Sequence, residues 1–415
     1  MSLLLRNVTL PEGNQADVLL DGALISRIGQ GIQGGRVLDL SGYLLLPSLA
    51  EPHAHLDKAF TADLVPNPSG DLGGAIKGWI EHRTGLTVED IYGRAMSAVR
   101  KYVAHGVTTL RTHVDIGPGL GLRALEAISA VRASVAAVCE IQIVAFSATP
   151  LSGAAGAANR DLLAQALAEG ADVAGACPGL DPDPRKAIDL CLDIAAGHGK
   201  PVDMHIDEWL HVEPSTMELL ADAVIATGFE HGVTASHCVS LGMLPAEHAL
   251  RVSRKAAAAR LSVICLPQTN LYLQGRDHAT ATPRGLTAVK ALREAGVNIA
   301  AGADNMQDPF NLLGRGDPLE TAALLMAAAH QSAAQALASV TDCARQALGL
   351  PVPGIAAGAR ADLLAIKAGS VREAIASADT NRVVIRAGRL VARTDTRHDL
   401  ADELTDKGDG HLGRH

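Results

Sequence analysis

Short apolar segments alternate with longer amphipathic segments through most of the chain. The short segments are rich in Val, Ile, Leu and Ala on both faces, which is typical of parallel strands that helices cover. The longer segments repeat their apolar residues with helical spacing. This alternation predicts an α/β fold with strands at 43–50, 107–113, 140–146, 173–176, 201–205, 232–237, 262–266 and 297–302, and helices at 88–105, 123–138, 160–169, 184–199, 217–228, 245–260 and 286–295.

The number of predicted strands favours a closed barrel over an open sheet. Eight strands that alternate with helices are the pattern of a (β/α)₈ TIM barrel, which we assign to residues 48–352. An open doubly wound sheet usually carries a glycine-rich phosphate loop after its first strand, and no such motif follows residues 43–50. The pattern therefore predicts an α/β barrel.

The two ends of the chain have a different pattern of apolar and turn residues. Residues 1–47 and 353–393 contain short apolar runs separated by Gly and Asn turns, the pattern of antiparallel strands. Each end is too small to be stable by itself, so we expect the two ends to pair into one small β-sandwich that flanks the barrel. Residues 394–415 are charged and poor in apolar residues, which predicts disorder, and His411 and His415 within them predict no metal site.

Charge and cysteine usage narrow the partners of the protein. The formal net charge of -9 offers no general attraction to nucleic acid or to an anionic membrane, so neither is expected as a partner. The cysteines show no CxxC spacing and predict reduced thiols. Without a secretory leader or an apolar run that could span a bilayer, a soluble cytoplasmic protein is expected. Homo-oligomerisation stays open, since an Ala-rich helix at 320–331 could pack against a neighbouring copy.

The candidate chemistry begins with two histidines just after the first predicted strand. Residues two apart on a strand point to the same side, so His53 and His55 would present two imidazoles together. By themselves they fit a metal site and a polar strand end equally well. Other polar residues mostly lie at or just past the carboxyl ends of predicted strands, where the active sites of such barrels form. These residues are His113, His205, His237 and Asp304, with Gln142 as the exception nearer the middle of its strand.

This placement favours a metal site over scattered polar residues. Imidazole nitrogens and a carboxylate oxygen suit a divalent transition metal ion, which lowers the pKa of bound water toward neutrality. A further carboxylate and imidazole can transfer protons and orient the water, and an amide can pair with a ring that carries a carbonyl beside an NH. The candidate ligands are His53, His55, His205 and Asp304, the candidate proton-transfer residues are Glu208 and His237, and the candidate amide is Gln142.

Five motifs follow one another near the predicted strand ends: His53-Ala54-His55-Leu56-Asp57-Lys58, His205-Ile206-Asp207-Glu208, Ser236-His237, Leu273-Gln274-Gly275-Arg276 and Gly302-Ala303-Asp304-Asn305. Together they resemble the amidohydrolase superfamily, and in particular its cytosine deaminase-like branch. The resemblance covers nearly the whole chain, including both halves of the small β domain. It implies that His53, His55, His205 and Asp304 bind one Zn²⁺ or Fe²⁺ ion, because Gly175-Ala176-Cys177-Pro178 lacks the lysine that bridges a second metal in binuclear relatives.

The resemblance also implies roles for the residues around the metal. Glu208 would carry protons to the ring nitrogen and to the leaving amine, while His237 would polarise the attacking hydroxide. Asp304 would take a proton from the water as well as bind the metal, and Gln142 would hold the carbonyl–NH edge of the substrate. Strict alternation along the strand would point Asp207 toward the site in place of Glu208, so Asp207 stays the alternative proton carrier.

The implied reaction is hydrolytic deamination of an aminopyrimidine or related aminoheterocycle, with cytosine to uracil plus ammonia as the first expectation. Asn305 stands where cytosine deaminases commonly place a second aspartate, and its amide can donate as well as accept. Isocytosine, pterin and creatinine-type rings therefore stay open, as does release of an alkylamine from a triazine. Phe310 and Trp79 could stack on a flat ring or pack within loops, and Lys58 could contact the substrate or cap a helix.

A barrel that binds a metal or a ligand without catalysis is the alternative from another class. Such a protein would be expected to lose Glu208, His237 or a metal ligand, and this chain retains all of them. His113 has no role in the reaction as outlined, and we expect it to hydrogen-bond inside the mouth of the barrel.

Overall fold

The computed structural model describes residues 2–352, 354–397 and 399. The strands are β1 (Ser2–Thr9), β2 (Gln15–Asp21), β3 (Leu24–Gly29), β4 (Arg36–Asp39), β5 (Tyr43–Pro47), β6 (Leu49–Ala54), β7 (Val107–Ile116), β8 (Glu140–Ser147), β9 (Val173–Gly175), β10 (Val202–Ile206), β11 (Val233–His237), β12 (Ser262–Cys265), β13 (Asn298–Ala301), β14 (Leu363–Lys367), β15 (Arg382–Arg386) and β16 (Arg389–Thr394). The helices are α1 (Leu72–Arg83), α2 (Val88–Ala104), α3 (Arg123–Val135), α4 (Ala157–Ala168), α5 (Pro184–Gly197), α6 (Thr216–Thr227), α7 (Ala246–Ala258), α8 (Pro267–Leu273), α9 (Val289–Glu294), α10 (Pro318–Ala329), α11 (Ala333–Ser339), α12 (Asp342–Ala347) and α13 (Val371–Ser377).

Strands β6 to β13 form one parallel sheet in sequence order, and at least one helix joins each neighbouring pair. The sheet closes between its first and last strands, because the Asp304 backbone N–H donates to His53 O (3.0 Å) and the His55 N–H donates to Asp304 O (3.2 Å). Every residue of β6 and β7 is buried, as expected for strands covered on both faces. The predicted (β/α)₈ barrel is confirmed.

Several of the barrel helices begin where a side chain caps a free backbone N–H group. The side chains of Thr87, Asp183 and Ser215 each accept a hydrogen bond from a first-turn N–H, at the beginning of α2, α5 and α6. Each such cap contributes about 1 kcal/mol. At the strand ends, by contrast, the backbone enters the left-handed region, which interrupts strand alternation where the site forms. The residues concerned are Asp207, His237 and Asp304, with φ of 50°, 73° and 66°.

The apolar run 43–50 is two strands, not the one strand that its pattern predicts. Strand β5 pairs with β14 in the sheet that the two chain ends form, whereas β6 pairs with β7 in the barrel. The change of sheet occurs at Ser48, whose N–H donates to Asp362 O (3.0 Å), while the Leu49 N–H donates to Gly106 O (3.0 Å). The middle of β5 and all of β6 are buried, so an unbroken apolar run cannot mark the boundary between them.

The two ends of the chain form one mixed sheet in the order β16-β15-β14-β5-β1-β2-β3, with β4 alongside β1. Strands of both ends share one apolar core, separate from that of the barrel, which includes Leu5, Val18, Leu45, Leu363 and Ile385. The edge strand β3 reaches the other end of the chain, because the Ile25 N–H donates to Ala359 O (2.8 Å). The predicted small β domain built from both termini is thus confirmed, while its limits after residues 47 and 352 stay predictions.

Three other predictions concern one helix, the C-terminal residues and membrane-spanning segments. The helix predicted at 320–331 corresponds to α10. The disorder predicted for 394–415 lies outside the described residues except at 394–397 and 399, and so do His411 and His415. Among the residues that the structure describes, no helix has the length and apolar character needed to cross a membrane.

Candidate active site

A cavity opens at the carboxyl ends of the barrel strands. The empty space within it, with the open solvent at its mouth included, is about 790 Å³. His55, His205, Glu208 and Asp304 line it together. Strand-end residues from distant parts of the sequence thus meet in one place, as expected for a (β/α)₈ barrel.

Three histidines and one aspartate converge beside this cavity. The Nε2 atoms of His53 and His55 lie 3.5 and 3.3 Å from Asp304 Oδ1, and His205 Nε2 lies 3.3 Å from His55 Nε2. An ion with four protein ligands and one water at about 2.0–2.1 Å needs neighbouring ligand atoms about 2.9–3.6 Å apart. The observed spacings agree with this requirement, so the four residues can hold one divalent metal ion.

Burial leaves these donor atoms without other partners. His53 Nε2 and both carboxylate oxygens of Asp304 are buried and have no hydrogen-bond partner within the described chain. Burial lowers the pKa of His53, His55 and His205 well below the ordinary value, so the rings are neutral, as metal binding requires. Burial also raises the pKa of Asp304 well above its usual range, a cost that a divalent cation would offset.

Two further histidines, His113 and His237, approach the same place. With the candidate ligands they form two groups whose ligand atoms lie within 4.8 Å of one another. His113 lies in the middle of β7, not at its end, and stacks on His53 with ring centroids 3.9 Å apart. Its Nε2 lies 3.4 Å from Asp203 Oδ1. His113 therefore packs beneath the candidate ligands inside the barrel.

The backbone after β10 separates Glu208 from Asp207. Asp207 has a left-handed φ of 50°, which interrupts the alternation of side chains. Its carboxylate accepts hydrogen bonds from the Thr216 backbone N–H (2.7 Å) and hydroxyl (2.6 Å) at the beginning of α6. Glu208 instead lines the cavity. Burial raises the pKa of Glu208 to about 8 in the metal-free protein, so its carboxyl group holds a proton there at neutral pH.

His237 stands between Glu208 and the candidate metal ligands. Its Nδ1 lies 3.0 Å from Asn270 Oδ1 and 3.8 Å from Glu208 Oε1, and its Nε2 lies 4.0 Å from Asp304 Oδ2. Burial lowers the pKa of His237 to about 4, so the ring is neutral at pH 7. Because Asn270 Oδ1 accepts, the proton is on Nδ1, and the Nε2 lone pair faces the candidate metal site.

Gln142 does not line this cavity, which corrects the expectation that it holds the substrate. Its Oε1 accepts from Arg111 Nε and Nη2 (3.2 and 3.0 Å), and its Nε2 donates to Leu348 O (3.0 Å). It lies near the beginning of β8, about 13 Å before Phe146 on the same face. Phe146 lines the cavity and packs on His205, with ring centroids 4.3 Å apart. Period-two alternation from Gln142 toward the strand end could have identified Phe146, which sequence reasoning missed.

Asn305 and Phe310 both line the cavity, where a substrate contact is expected. The Asn305 amide is held on both sides, because Oδ1 accepts from Thr269 Oγ1 (3.2 Å) and Nδ2 donates to Asp308 Oδ2 (2.8 Å). The second proton on Nδ2 is left for a ligand. Substrate binding by Asn305 and Phe310 stays a prediction.

Helix α1 supplies one wall of the cavity, although its glycines hide it from the apolar pattern. Trp79 Nε1 and Arg83 Nη1 donate to Asp115 Oδ2 (2.7 and 3.0 Å). Lys58 Nζ donates to Asp115 Oδ1 (2.6 Å) and lies 3.2 Å from His55 Nδ1. Lys58 and Trp79 are therefore buried groups that help to anchor α1 beside the site. The sequence left the roles of both residues open.

A (β/α)₈ barrel with such a cluster of candidate metal ligands at its carboxyl face has the architecture of a metal-dependent hydrolase. Residues 80–392 match the amidohydrolase family. The chain belongs to that family, and it is a hydrolytic enzyme that acts on carbon–nitrogen bonds.

Individual relatives are similar over nearly the full length. The chain is 30% identical over 398 residues to the pterin deaminase of Rhizobium rhizogenes (strain K84 / ATCC BAA-868), covering 94% of this chain and 89% of that protein. The crystal structure of 5-methylcytosine deaminase from Klebsiella pneumoniae liganded with 5-fluorocytosine has a TM-score of 0.88 at 29% identity, covering 97% of this chain and 100% of that chain. For N-isopropylammelide isopropylaminohydrolase from Burkholderia multivorans ATCC 17616 the TM-score is 0.83 at 30% identity, with coverage of 95% and 98%. These matches confirm the resemblance to the amidohydrolase superfamily and its deaminases.

Proposed function

We propose that this enzyme is a metal-dependent hydrolytic deaminase of an aminopyrimidine or a related aminoheterocycle. The observation that carries the proposal is that Glu208, whose pKa burial raises to about 8, lines the same cavity as the candidate ligands His55, His205 and Asp304. An amine leaves a carbon readily only after it is protonated, and a buried neutral carboxyl group can supply that proton. The similarity to a pterin deaminase and a 5-methylcytosine deaminase supports the same class of substrate.

His53, His55, His205 and Asp304 would hold one ion, which we propose to be Zn²⁺ or Fe²⁺. Such an ion lowers the pKa of bound water toward neutrality and so supplies hydroxide at physiological pH. No lysine follows β9 to bridge a second ion. Cys177 lies there and lines the cavity, but it belongs to neither of the groups whose ligand atoms lie within 4.8 Å of one another.

Glu208, His237 and Asp304 would share the proton transfers. The carboxyl group of Glu208 donates its proton to the ring nitrogen beside the reacting carbon. The Nε2 lone pair of His237 orients the attacking water, and Asp304 accepts a proton from it. The new carbon–oxygen bond makes the ring carbon tetrahedral. The Glu208 carboxylate then takes the proton of the new hydroxyl group and delivers it to the exocyclic amine. The carbon–nitrogen bond breaks, the ring carbonyl forms, and the proton held by Asp304 returns to Glu208.

Cytosine, which would become uracil, is the first candidate substrate. Isocytosine, pterin and creatinine-type rings are the alternatives, together with release of an alkylamine from a triazine. The free proton of Asn305 Nδ2 favours a ring that presents an acceptor at that position. The presence of Glu208, His237 and every candidate ligand around one cavity argues against a barrel that only binds.

The test is ammonia release from cytosine, isocytosine, pterin and creatinine by protein loaded separately with Fe²⁺ or Zn²⁺, with isopropylamine release from N-isopropylammelide measured in parallel. Glu208→Gln should reduce turnover by about 10²–10⁴-fold without loss of bound metal. Glu169→Gln, on the surface after α4, serves as the matched control and should keep wild-type turnover. Absence of turnover of every compound by wild-type protein that holds about one ion per chain would refute the proposal.

A cytoplasmic location is part of the proposal. Cys139, Cys177, Cys191, Cys238, Cys265 and Cys343 are all unpaired, and free thiols persist in a reducing compartment. Fractionation of cells that express the tagged chain tests this. Self-association stays a prediction, for which light scattering is the measurement.

A further inference from the structure

One wall of the cavity is apolar over a longer distance than a bare aminopyrimidine can cover. Leu72, Ile76 and Ile80 are spaced by four residues and line the cavity from one face of α1. From Leu72 to Ile80 this apolar face extends for about 12 Å of helix. A single ring held beside His205 would leave much of this wall in contact with water.

Two of the apolar side chains stand exposed at the mouth of the cavity. Ile80 is 49% exposed, and Leu180, from the connection after β9, is 46% exposed. Exposed apolar side chains that rim a cavity with a few polar groups are typical of a site for an apolar part of a ligand. This rim and Glu208 line one cavity, so a single molecule can contact both.

We propose that the substrate carries an apolar substituent of several carbon atoms that packs on Leu72, Ile76, Ile80 and Leu180. This inference rests on the proposed deaminase function. The substituent is attached either to the ring or to the leaving amine. In both cases its carbon atoms make the same apolar contacts with α1. The ring itself lies deeper, near Phe146 and the candidate metal ligands.

The test compares kcat/KM for cytosine, isocytosine and pterin with kcat/KM for analogues that carry a butyl group on a ring carbon or on the exocyclic amine. We expect a preference of at least about tenfold for butyl in one of the two series, and that series identifies the point of attachment. Ile80→Ala should narrow the preference by roughly fivefold. Ile225→Ala is the matched control, because Ile225 is 51% exposed on α6, outside the cavity, and it should leave the preference unchanged.

The outcomes separate this inference from the function on which it rests. Turnover of the parent rings without any preference for butyl overturns the apolar subsite and leaves the deaminase function standing. A preference that Ile80→Ala and Ile225→Ala leave equally intact also overturns it. Absence of turnover in every series refutes the deaminase function and the subsite together.

An independent observation concerns the way in which His53 is held. Its Nδ1 lies 2.9 Å from Ser236 Oγ, and Ser236 Oγ lies 2.8 Å from Asp203 Oδ1. Arg111 Nη1 donates to the other oxygen of Asp203, Oδ2, at 2.9 Å. All four side chains are buried. The chain of contacts therefore runs from a candidate metal ligand to a buried ion pair without contact with water.

One order of protons satisfies every group in this chain. Asp203, paired with Arg111, only accepts, so the Ser236 hydroxyl donates to it. Ser236 then accepts from His53, which places the proton of the neutral ring on Nδ1 and the lone pair on Nε2. His53 Nε2 is the atom that lies 3.5 Å from Asp304 Oδ1, and it has no other partner among the described residues.

We infer that Ser236 and Asp203 are positioning residues that fix the tautomer and the ring orientation of His53, so that its Nε2 can bind the metal. Removal of a group that holds the second nitrogen of a ligand histidine typically weakens metal binding by about 10–100-fold. The adjacent residues Ser236 and His237 then serve different steps, since one orients a ligand and the other faces Glu208.

The test measures Zn²⁺ affinity by competition with a chelator, without reference to turnover. Ser236→Ala removes the acceptor for His53 and should weaken Zn²⁺ binding by about 10–100-fold. Asp203→Asn keeps the size of the side chain but reverses the direction in which the hydrogen bonds from residue 203 through Ser236 to His53 donate. Arg111 requires an oxygen opposite it, so the new amide nitrogen would donate to Ser236 and drive the His53 proton onto Nε2.

Thr234→Ala is the matched control for both variants. Thr234 lies on the same strand and accepts from Arg111 Nη1 (3.3 Å), but it is two residues away from Ser236 and outside the contact with His53. It should keep wild-type Zn²⁺ affinity. Circular dichroism of each metal-free variant checks folding. Zn²⁺ affinities of Ser236→Ala and Asp203→Asn equal to that of Thr234→Ala would overturn the inference.

Discussion

Replacement of Arg382 by methionine should weaken the junction between the small β domain and the barrel. Arg382, in β15, forms a two-point ion pair with Asp317, at the beginning of α10, with Nη1–Oδ1 and Nη2–Oδ2 distances of 3.0 and 2.6 Å. Its side chain also donates to the backbone carbonyl groups of His105, Ala378 and Asp379. Arg382 is only 1% exposed, so water cannot replace these hydrogen bonds once the guanidinium is removed.

The magnitude follows from what the substitution leaves behind. Methionine keeps the apolar stem of Arg382, but Asp317 becomes a buried charge without a partner. Removal of one member of a buried ion pair costs about 3–5 kcal/mol, and we expect this loss in the free energy of unfolding. Asp317→Asn in addition removes the unpaired charge, while its oxygen can still accept from the Leu319 N–H that caps α10. The double variant should therefore recover about 1 kcal/mol or more.

Urea unfolding, followed by circular dichroism and tryptophan fluorescence, measures both variants. The two probes are compared first, because a chain with two cores can unfold in two transitions. Arg393→Met is the matched control, since Arg393 in the neighbouring β16 pairs with Asp395 at an exposed position, and it should lose at most about 1 kcal/mol. If Arg382→Met loses no more than this control, or if the double variant is no more stable than Arg382→Met, an unpaired Asp317 is not the cause.

Gln142→Ala should leave KM unchanged, because Gln142 lies outside the cavity. It should lose about 1–3 kcal/mol of stability, because Nε and Nη2 of Arg111 lose their acceptor and the Leu348 carbonyl group loses its donor. Steady-state kinetics beside urea unfolding checks both, and a raised KM would return Gln142 to the substrate site. Chelation of the metal should lower the unfolding temperature in calorimetry, since a ligand at about 1,000 times its Kd adds about 4 kcal/mol. An unchanged temperature would contradict the candidate metal site. In metal-free protein, folding lowers the pKa of His237 from 6.5 to about 4, so the unfolded chain takes up this proton first as the pH falls. Above pH 6.5 the protonation of His237 does not reduce the free energy of unfolding. As the pH falls from 6.5 toward 4, it reduces the free energy of unfolding by about 3 kcal/mol. Urea titrations at pH 7 and pH 4 measure the free energy of unfolding, and His237→Gln should reduce the difference between the two values. An unaltered difference would contradict the lowered pKa of His237.

Local patterns were sufficient to predict the barrel and the place of its site. Strands such as β8 and β11 were evident because a buried parallel strand is an apolar run of limited length between helical repeats. In a closed parallel sheet all carboxyl ends lie at one face, so strand-end residues from distant segments must meet there. This geometry brings His205 and Asp304 to one cavity although they are far apart in the sequence.

Residues whose placement depends on distant partners could not be assigned in the same way. Gln142 has the chemistry of a substrate contact, but Leu348, which is 206 residues away, takes its amide proton. Asp207 and Glu208 are adjacent carboxylates with equal claims by composition. The contact of Asp207 with α6 and its left-handed backbone separate them, and neither is visible in the alternation of apolar residues.

The sequence by itself determined the strand order, the closed barrel and the donor atoms of the candidate metal site, because these depend on periodicity and on residue chemistry. Only the tertiary structure decided that the run 43–50 serves two sheets, that Glu208 enters the cavity, and that α1 forms its apolar wall. The physical reason is the range of the forces concerned. Apolar periodicity is a property of neighbouring residues, whereas a change of sheet, a left-handed turn and a helix over the barrel mouth are stabilised by groups that the chain brings together only when it folds.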